Sequence, residues 1–117
     1  MEIVDRKRVG DVSVWAIDGG LDRTTHDEFL AEMQHILDAG EKKAVLDFSR
    51  LTYISSLSLA TLIRVHHRFK KAGAVLKFAN LHTNVVGIIH LTGLDSVFDL
   101  HSSINDALRA FGGRKTP

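Results

Sequence analysis

The feature that most constrains this chain is the regular alternation of short aliphatic runs with longer segments of helical periodicity. Five runs are strand-like, and four segments carry apolar residues at helical spacing. Their order is strand, strand, helix and then three strand–helix pairs. Strands that alternate with helices of this length predict crossover connections and a largely parallel sheet. We therefore expect one α/β domain, with a mixed, mostly parallel sheet of four to five strands packed with about four helices.

Turn and cap residues place the first elements. Gly10-Asp11 interrupts the aliphatic run between Ile3 and Ile17 and predicts two strands joined by a tight turn. Thr25 and Glu28 have the spacing of a capping box, so the first helix is predicted to begin there. The later elements are predicted as strands at 44–48, 74–79 and 97–100 and as helices at 57–71, 84–91 and 102–111.

Composition excludes several classes of function. The chain has 117 residues, with 15 Lys and Arg against 14 Asp and Glu, so its formal charge is +1. That balance argues against a nucleic-acid partner, whose binding depends on many cationic contacts. There is no cysteine, which removes disulfides, thiolate metal sites and thiol nucleophiles. The sequence has neither a long apolar run nor a signal-peptide pattern, so we expect no membrane insertion and a cytoplasmic location. We expect one domain over residues 1–111 and a flexible tail at 112–117.

Neither metal binding nor catalysis finds a motif. The chain has seven histidines, but His66 and His67 are adjacent and would point about 100° apart on a helix. The serine-rich segment 54–58 lacks the glycines of a nucleophile elbow, and no phosphate-binding loop follows a strand. Asp47 lies at the carboxyl end of the third predicted strand, with no second carboxylate beside it, and a single carboxylate there more often caps or salt-bridges a turn. We expect no cofactor, no metal and no enzymatic activity.

The segment between the third strand and the second helix has a recognisable pattern. It reads Leu46-Asp47-Phe48-Ser49-Arg50-Leu51-Thr52-Tyr53-Ile54-Ser55-Ser56-Leu57-Ser58-Leu59-Ala60-Thr61-Leu62. Downstream, the run Leu91-Thr92-Gly93-Leu94-Asp95 adds a second match. Together they resemble the STAS domain of bacterial anti-sigma factor antagonists, over a span from about Val12 to Phe111.

This resemblance implies a STAS-like fold and a partner-switching function. Antagonists of this type bind an anti-sigma factor, often a serine kinase, and the kinase phosphorylates a serine at the start of the second helix. That position falls on Ser56, with Ser55 as the weaker candidate. The family's aspartate falls on Ser55 and its glycine on Ser58, so this chain departs from the pattern at both positions. The resemblance leaves a homodimer open.

The physical chemistry of a helix start is compatible with this switch. Unpaired N–H groups and the positive end of the helix dipole tolerate a phosphate there. A phosphoserine adds about −1.5 to −2 charges, which would repel a partner that fits a neutral hydroxyl. The alternative is that Ser55 and Ser56 only cap the helix, as serines commonly do.

The second helix is divided into two predicted faces at 100° per residue. The face toward the sheet is predicted to contain Leu59, Leu62, Ile63, His66 and Phe69. The partner-binding surface is predicted to contain Tyr53, Ser55, Ser56, Leu57, Ser58, Thr61, Arg64, Val65 and Arg68. A half-apolar stripe with two arginines is typical of a protein interface, although an ordinary solvent-exposed face remains the alternative.

A second function fits the same fold. The chain would then be a STAS scaffold that is not phosphorylated and docks permanently on a transporter ATPase or in a signalling assembly. The absence of the family's aspartate and glycine at Ser55 and Ser58 is the feature that favours it.

Overall fold

A computed structural model describes residues 2–21 and 24–111. The tail predicted at 112–117 lies outside these residues. The strands are β1 (Glu2–Val9), β2 (Val12–Leu21), β3 (Lys43–Ile54), β4 (Val75–Ala79) and β5 (Asp99–His101). The helices are α1 (His26–Asp38), α2 (Ser56–Lys71), α3 (Thr83–Leu91) and α4 (Ile104–Ala110), with a short 3-10 turn at Leu94–Ser96 before β5.

The five strands form one sheet in the order β1-β2-β3-β4-β5. β1 and β2 form an antiparallel hairpin, and the other three pairings are parallel. Gly10 turns this hairpin with φ of 62°, a conformation that glycine adopts without a steric penalty. The predicted mixed, mostly parallel α/β sheet is confirmed.

Helices cover both faces of the sheet. Alternate side chains of the central strand point in opposite directions, so apolar residues of this strand pack on both faces. Leu46 and Phe48 of β3 pack into the main core, whose other members include Phe29 of α1 and Leu62 of α2. Val45 lies on the other face and packs in a smaller cluster that includes Ala107 of α4. The larger helices therefore share one face, and α4 closes the other.

The start of α1 differs from its prediction. Thr25 occupies the N-cap position, but its hydroxyl makes no capping hydrogen bond. The Thr25 hydroxyl donates instead to the carbonyl of Gly20 at 3.3 Å, so it ties α1 to the end of β2. The predicted capping box was wrong because the backbone of Thr25, with φ of −114° and ψ of −7°, lacks the extended conformation in which an N-cap hydroxyl accepts from the first turn.

The central strand is longer than predicted. β3 continues beyond residue 48 because β2 remains alongside it, with Gly19 paired to Leu51 and Leu21 paired to Ile54. β4, by contrast, ends its pairing opposite Asp47. Tyr53 therefore lies within the strand, and the connection to α2 is reduced to Ser55. This extension carries the start of α2 beyond the end of β4.

No helix in the described part of the chain has the length and apolar character needed to cross a membrane.

Candidate functional site

The first turn of α2 is held by two hydrogen bonds of Ser55. Ser55 is the N-cap residue, in an extended conformation, and its Oγ accepts a hydrogen bond from the Ser58 N–H at 3.1 Å. The Ser55 N–H donates to the carbonyl of Leu21 at 3.2 Å. One serine thus satisfies a free N–H of the helix and fastens its start to the end of β2.

Ser58 completes this attachment from inside the protein. Its side chain is fully buried, with 0% exposure, and its Oγ donates to the Leu21 carbonyl at 2.6 Å. The Ser58 Oγ also lies 3.0 Å from the Ser55 Oγ. Ser58 was predicted to lie on the partner-binding surface. That placement was wrong, because its side chain is buried and its hydroxyl faces β2.

Ser56 is the exposed serine of the three. It is the first residue of α2 and follows the Ser55 cap directly. The neighbouring Leu57 is 40% exposed. The first turn contains no acidic residue, so the positive end of the helix dipole is not neutralised by a side chain of this turn. The turn therefore presents a hydroxyl and an apolar side chain on a fixed backbone.

Two further predicted contact residues are buried. Thr61 is 4% exposed and donates its hydroxyl to the Leu57 carbonyl at 3.2 Å, and Val65 is 1% exposed. The helix contacts α1 as well as the sheet, so its buried side is rotated by roughly 60° from the predicted one. The predicted burial of Leu59, Leu62 and Phe69 is confirmed, whereas Ile63 and His66 are only partly buried.

The exposed side of α2 keeps the remaining predicted residues and adds others. We call this surface the α2 ridge, and it consists of Ser56, Leu57, Ala60, Arg64, His67 and Arg68. The Arg68 Nη1 donates to Gln34 Oε1 of α1 at 3.5 Å, while Arg64 is exposed. Lys70 and Lys71 extend the positive charge to the end of the helix. The predicted residue Tyr53 is described only as a backbone position of β3, so its side chain lies outside the described residues.

The side chains that suggested other chemistry have structural partners. Asp47 accepts hydrogen bonds from the Ser49 N–H at 3.0 Å and from Asn80 Nδ2 at 3.1 Å, so it fixes a turn. Burial lowers the pKa of His66 below its ordinary value, and the charges of His67 and Lys70 lower it further. Within residues 2–21 and 24–111, no group of three histidines or acids is arranged to hold a metal ion.

The sequence is similar to known proteins over most of its length. The profile of the family described as STAS domain matches residues 4–107, which span both the sheet and the start of α2. BtrV of Bordetella bronchiseptica, whose name describes it as an anti-sigma factor antagonist, is 26% identical over 104 residues. That match covers 89% of this chain and 90% of BtrV.

Solved structures are similar over the same range. The protein TM1081 of Thermotoga maritima, described as an anti-sigma factor antagonist, superposes with a TM-score of 0.84 at 21% identity, covering 91% of this chain and 92% of that chain. An anti-sigma factor antagonist of Mycobacterium paratuberculosis gives a TM-score of 0.80 at 25% identity, covering 90% and 89%. The fold is therefore the one that these proteins share.

Proposed function

Because this chain belongs to the STAS domain family, we propose that it is an anti-sigma factor antagonist that acts by reversible protein binding. Its partner would be an anti-sigma factor of the same cell. When this chain binds the anti-sigma factor, the sigma factor that the anti-sigma factor had held would be released. The names of BtrV and of the Mycobacterium paratuberculosis protein support this partner class. The protein would act in the cytoplasm by surface contact, without catalysis of its own.

The observation that carries the proposal is the arrangement of the three serines at the start of α2. The Ser55 N–H and the Ser58 hydroxyl both donate hydrogen bonds to the carbonyl of Leu21. Ser56, in contrast, is exposed at the end of the α2 ridge. A hydroxyl on a rigidly attached turn, beside the exposed Leu57, gives a partner a surface that is ordered before binding. Ordered surfaces lose less entropy on association, which favours reversible binding of useful strength.

Control by phosphorylation would use the same position. A phosphate on Ser56 would lie at the positive end of the α2 dipole, so the modified chain would remain folded. Its charge would nevertheless oppose a partner surface that fits a neutral hydroxyl and Leu57. Ser55 is a poorer acceptor, because its Oγ already accepts from the Ser58 N–H and a phosphate would disturb the cap.

Phosphorylation by the partner tests this proposal. The chain would be incubated with ATP and its cognate anti-sigma kinase from the same cell, and modified residues would be mapped by mass spectrometry. We expect one phosphate on Ser56, its loss in Ser56→Ala and its retention in Ser96→Ala, a control at another exposed serine. Modification at another site, or none, would contradict the switch and favour permanent docking on a transporter ATPase or a signalling assembly.

A further inference from the structure

A groove of about 650 Å³ lies at the β5 side of the sheet, away from the α2 ridge. Its walls include Val86 and His90 of α3, Asp95, and Leu100 and His101 of β5. Leu100 pairs with Phe78 of the main core, and His101 pairs with Ala79 of the smaller cluster on the opposite face. The groove is lined by the consecutive residues 98–102, which are all of β5 and one residue on each side, so it follows this strand along its length.

The edge of β5 exposes hydrogen-bonding groups of the backbone to this groove. β5 is the terminal strand of the sheet formed by the described residues. The carbonyl of His101 accepts a hydrogen bond from the Asn80 N–H at 3.3 Å, so the backbone of His101 faces β4. Backbone groups alternate in direction along a strand, so the N–H and C=O of Leu100 point away from β4 and toward the groove.

The two acidic side chains of the groove already have partners within the protein. His90 Nδ1 lies 2.8 Å from Asp95 Oδ2. Asp99 forms an ion pair with Lys77, and its Oδ1 lies 2.8 Å from His101 Nε2, a buried nitrogen that makes no hydrogen bond with the described residues. A ligand therefore meets mainly the apolar walls and the backbone of Leu100. Those are the features that an extended peptide recognises when it adds a strand to a sheet.

Charge further restricts the ligand. Asp95 and Asp99 carry two negative charges at the groove, and Lys77 supplies one positive charge against them. The groove also contains His90 of the last turn of α3, where the negative end of the helix dipole lies. The local potential is complementary to a lysine or arginine, in contrast to the positive α2 ridge.

We propose that this groove, which we call the β5 groove, binds an extended peptide segment of a partner protein as a sixth strand. The peptide would pair with the backbone of Leu100, place an apolar side chain between Val86 and Leu100, and place a cationic side chain near Asp95. This surface is separate from the α2 ridge, so the inference does not depend on the proposed antagonist function.

Selection from a library tests this proposal. Random twelve-residue peptides displayed on phage would be selected against the full chain, and we expect enriched sequences that alternate apolar residues with lysine or arginine. In NMR titrations, the enriched peptide should shift the amides of β5 and of residues 86–90. No enrichment, or shifts confined to α2, would overturn the proposal.

Variants identify the bonding edge. Leu100→Pro removes an N–H that β4 does not use, and proline is tolerated on edge strands, so binding should weaken by about tenfold in a folded chain. Asp95→Lys should weaken binding severalfold, more strongly at low salt, while Ser56→Asp should leave it unchanged. Unchanged binding in Leu100→Pro would overturn the proposal. If that variant does not fold, Val86→Glu takes its place, with the same expected loss and the same consequence if binding persists.

A second copy of the chain is the competing occupant of the β5 groove. Sedimentation of the wild-type chain and of Leu100→Pro distinguishes the two cases. We expect the same mass for both at the concentrations used for peptide binding. A wild-type dimer that dissociates in Leu100→Pro would show self-pairing and overturn the assignment to a partner peptide.

Discussion

The start of α2 and the edge of β5 differ in which chemical groups are free to meet a partner. At α2 Ser55 caps the Ser58 N–H and the Ser58 hydroxyl donates to the Leu21 carbonyl, so Ser56 and Leu57 are the exposed side chains of this turn. At β5 Asp95 and Asp99 already have side-chain partners, and the backbone of Leu100 on the terminal strand points away from β4 and remains available. The first region suits recognition of a particular surface, and the second suits a strand of variable sequence.

The largest expected effect concerns the buried serine that fixes α2. Ser58→Leu would place a larger side chain in a site with 0% exposure and remove the hydroxyl that donates to Leu21. We expect the free energy of unfolding to fall by about 3 kcal/mol, measured by urea denaturation. Ser56→Leu, two residues away and exposed, should change it by less than about 0.5 kcal/mol. Equal effects of the two would abolish the distinction between these positions.

A charge at Ser56 is expected to act on binding rather than on folding. Ser56→Asp should weaken binding to the anti-sigma factor by at least about tenfold, or 1.4 kcal/mol, because the carboxylate opposes a surface suited to a hydroxyl. Isothermal titration calorimetry would measure the affinity. Ser96→Asp is the matched control at a distant exposed serine and should bind normally. An unchanged affinity in Ser56→Asp would place the start of α2 outside the interface.

Reversal of charge on the α2 ridge is expected to have a smaller effect. Arg64→Glu should slow association with the anti-sigma factor about fivefold at low salt, and less at high salt, because exposed charges mainly steer encounter. Stopped-flow association rates would show this difference. Lys7→Glu on the exposed β1 strand makes the same change of charge elsewhere and should have little effect. Equal rates for both variants would remove Arg64 from the binding surface.

The smallest expected effect is a dependence of stability on pH through His66. Burial holds the pKa of His66 below its ordinary value, so the unfolded chain binds more protons on this residue than the folded chain does. The free energy of unfolding should therefore fall as pH decreases below about 6.5. His66→Gln should reduce this slope, and His35→Gln, at an exposed histidine of α1, should preserve it. Denaturation curves between pH 7 and about 5 would contradict the assignment if both variants kept the wild-type slope.

Local patterns predicted most of the fold. The Gly10 turn, the alternation of strands and helices and the serine cap of α4 depend on interactions between residues close in sequence. Ser103 is the N-cap residue of α4, and its Oγ accepts the hydrogen bond from the Asp106 N–H at 3.0 Å. Such contacts form wherever the segment lies, so their sequence signals survive in the folded chain.

The candidate site was only partly predictable because its boundaries depend on distant residues. The periodicity of α2 was correct, but α2 packs against α1 as well as the sheet, and Thr61 and Val65 are buried whereas Arg64 is exposed. The β5 groove left no pattern in the sequence, since its walls come from α3, β5 and the segment between them. The basic residues at the end of α2 could have been recognised in the sequence as part of a positively charged surface. They continue the positive charge of the α2 ridge as far as Lys71.

The sequence by itself determined the α/β order, the resemblance to the STAS domain and the position of three serines at the start of a helix. The tertiary structure alone decided which serine is exposed. Leu21, 37 residues before Ser58, accepts the hydrogen bond that turns Ser58 inward and leaves Ser56 outside. The Leu21 carbonyl comes close to Ser58 only when β2 pairs with β3. No local sequence pattern could therefore show which serine would bond to it.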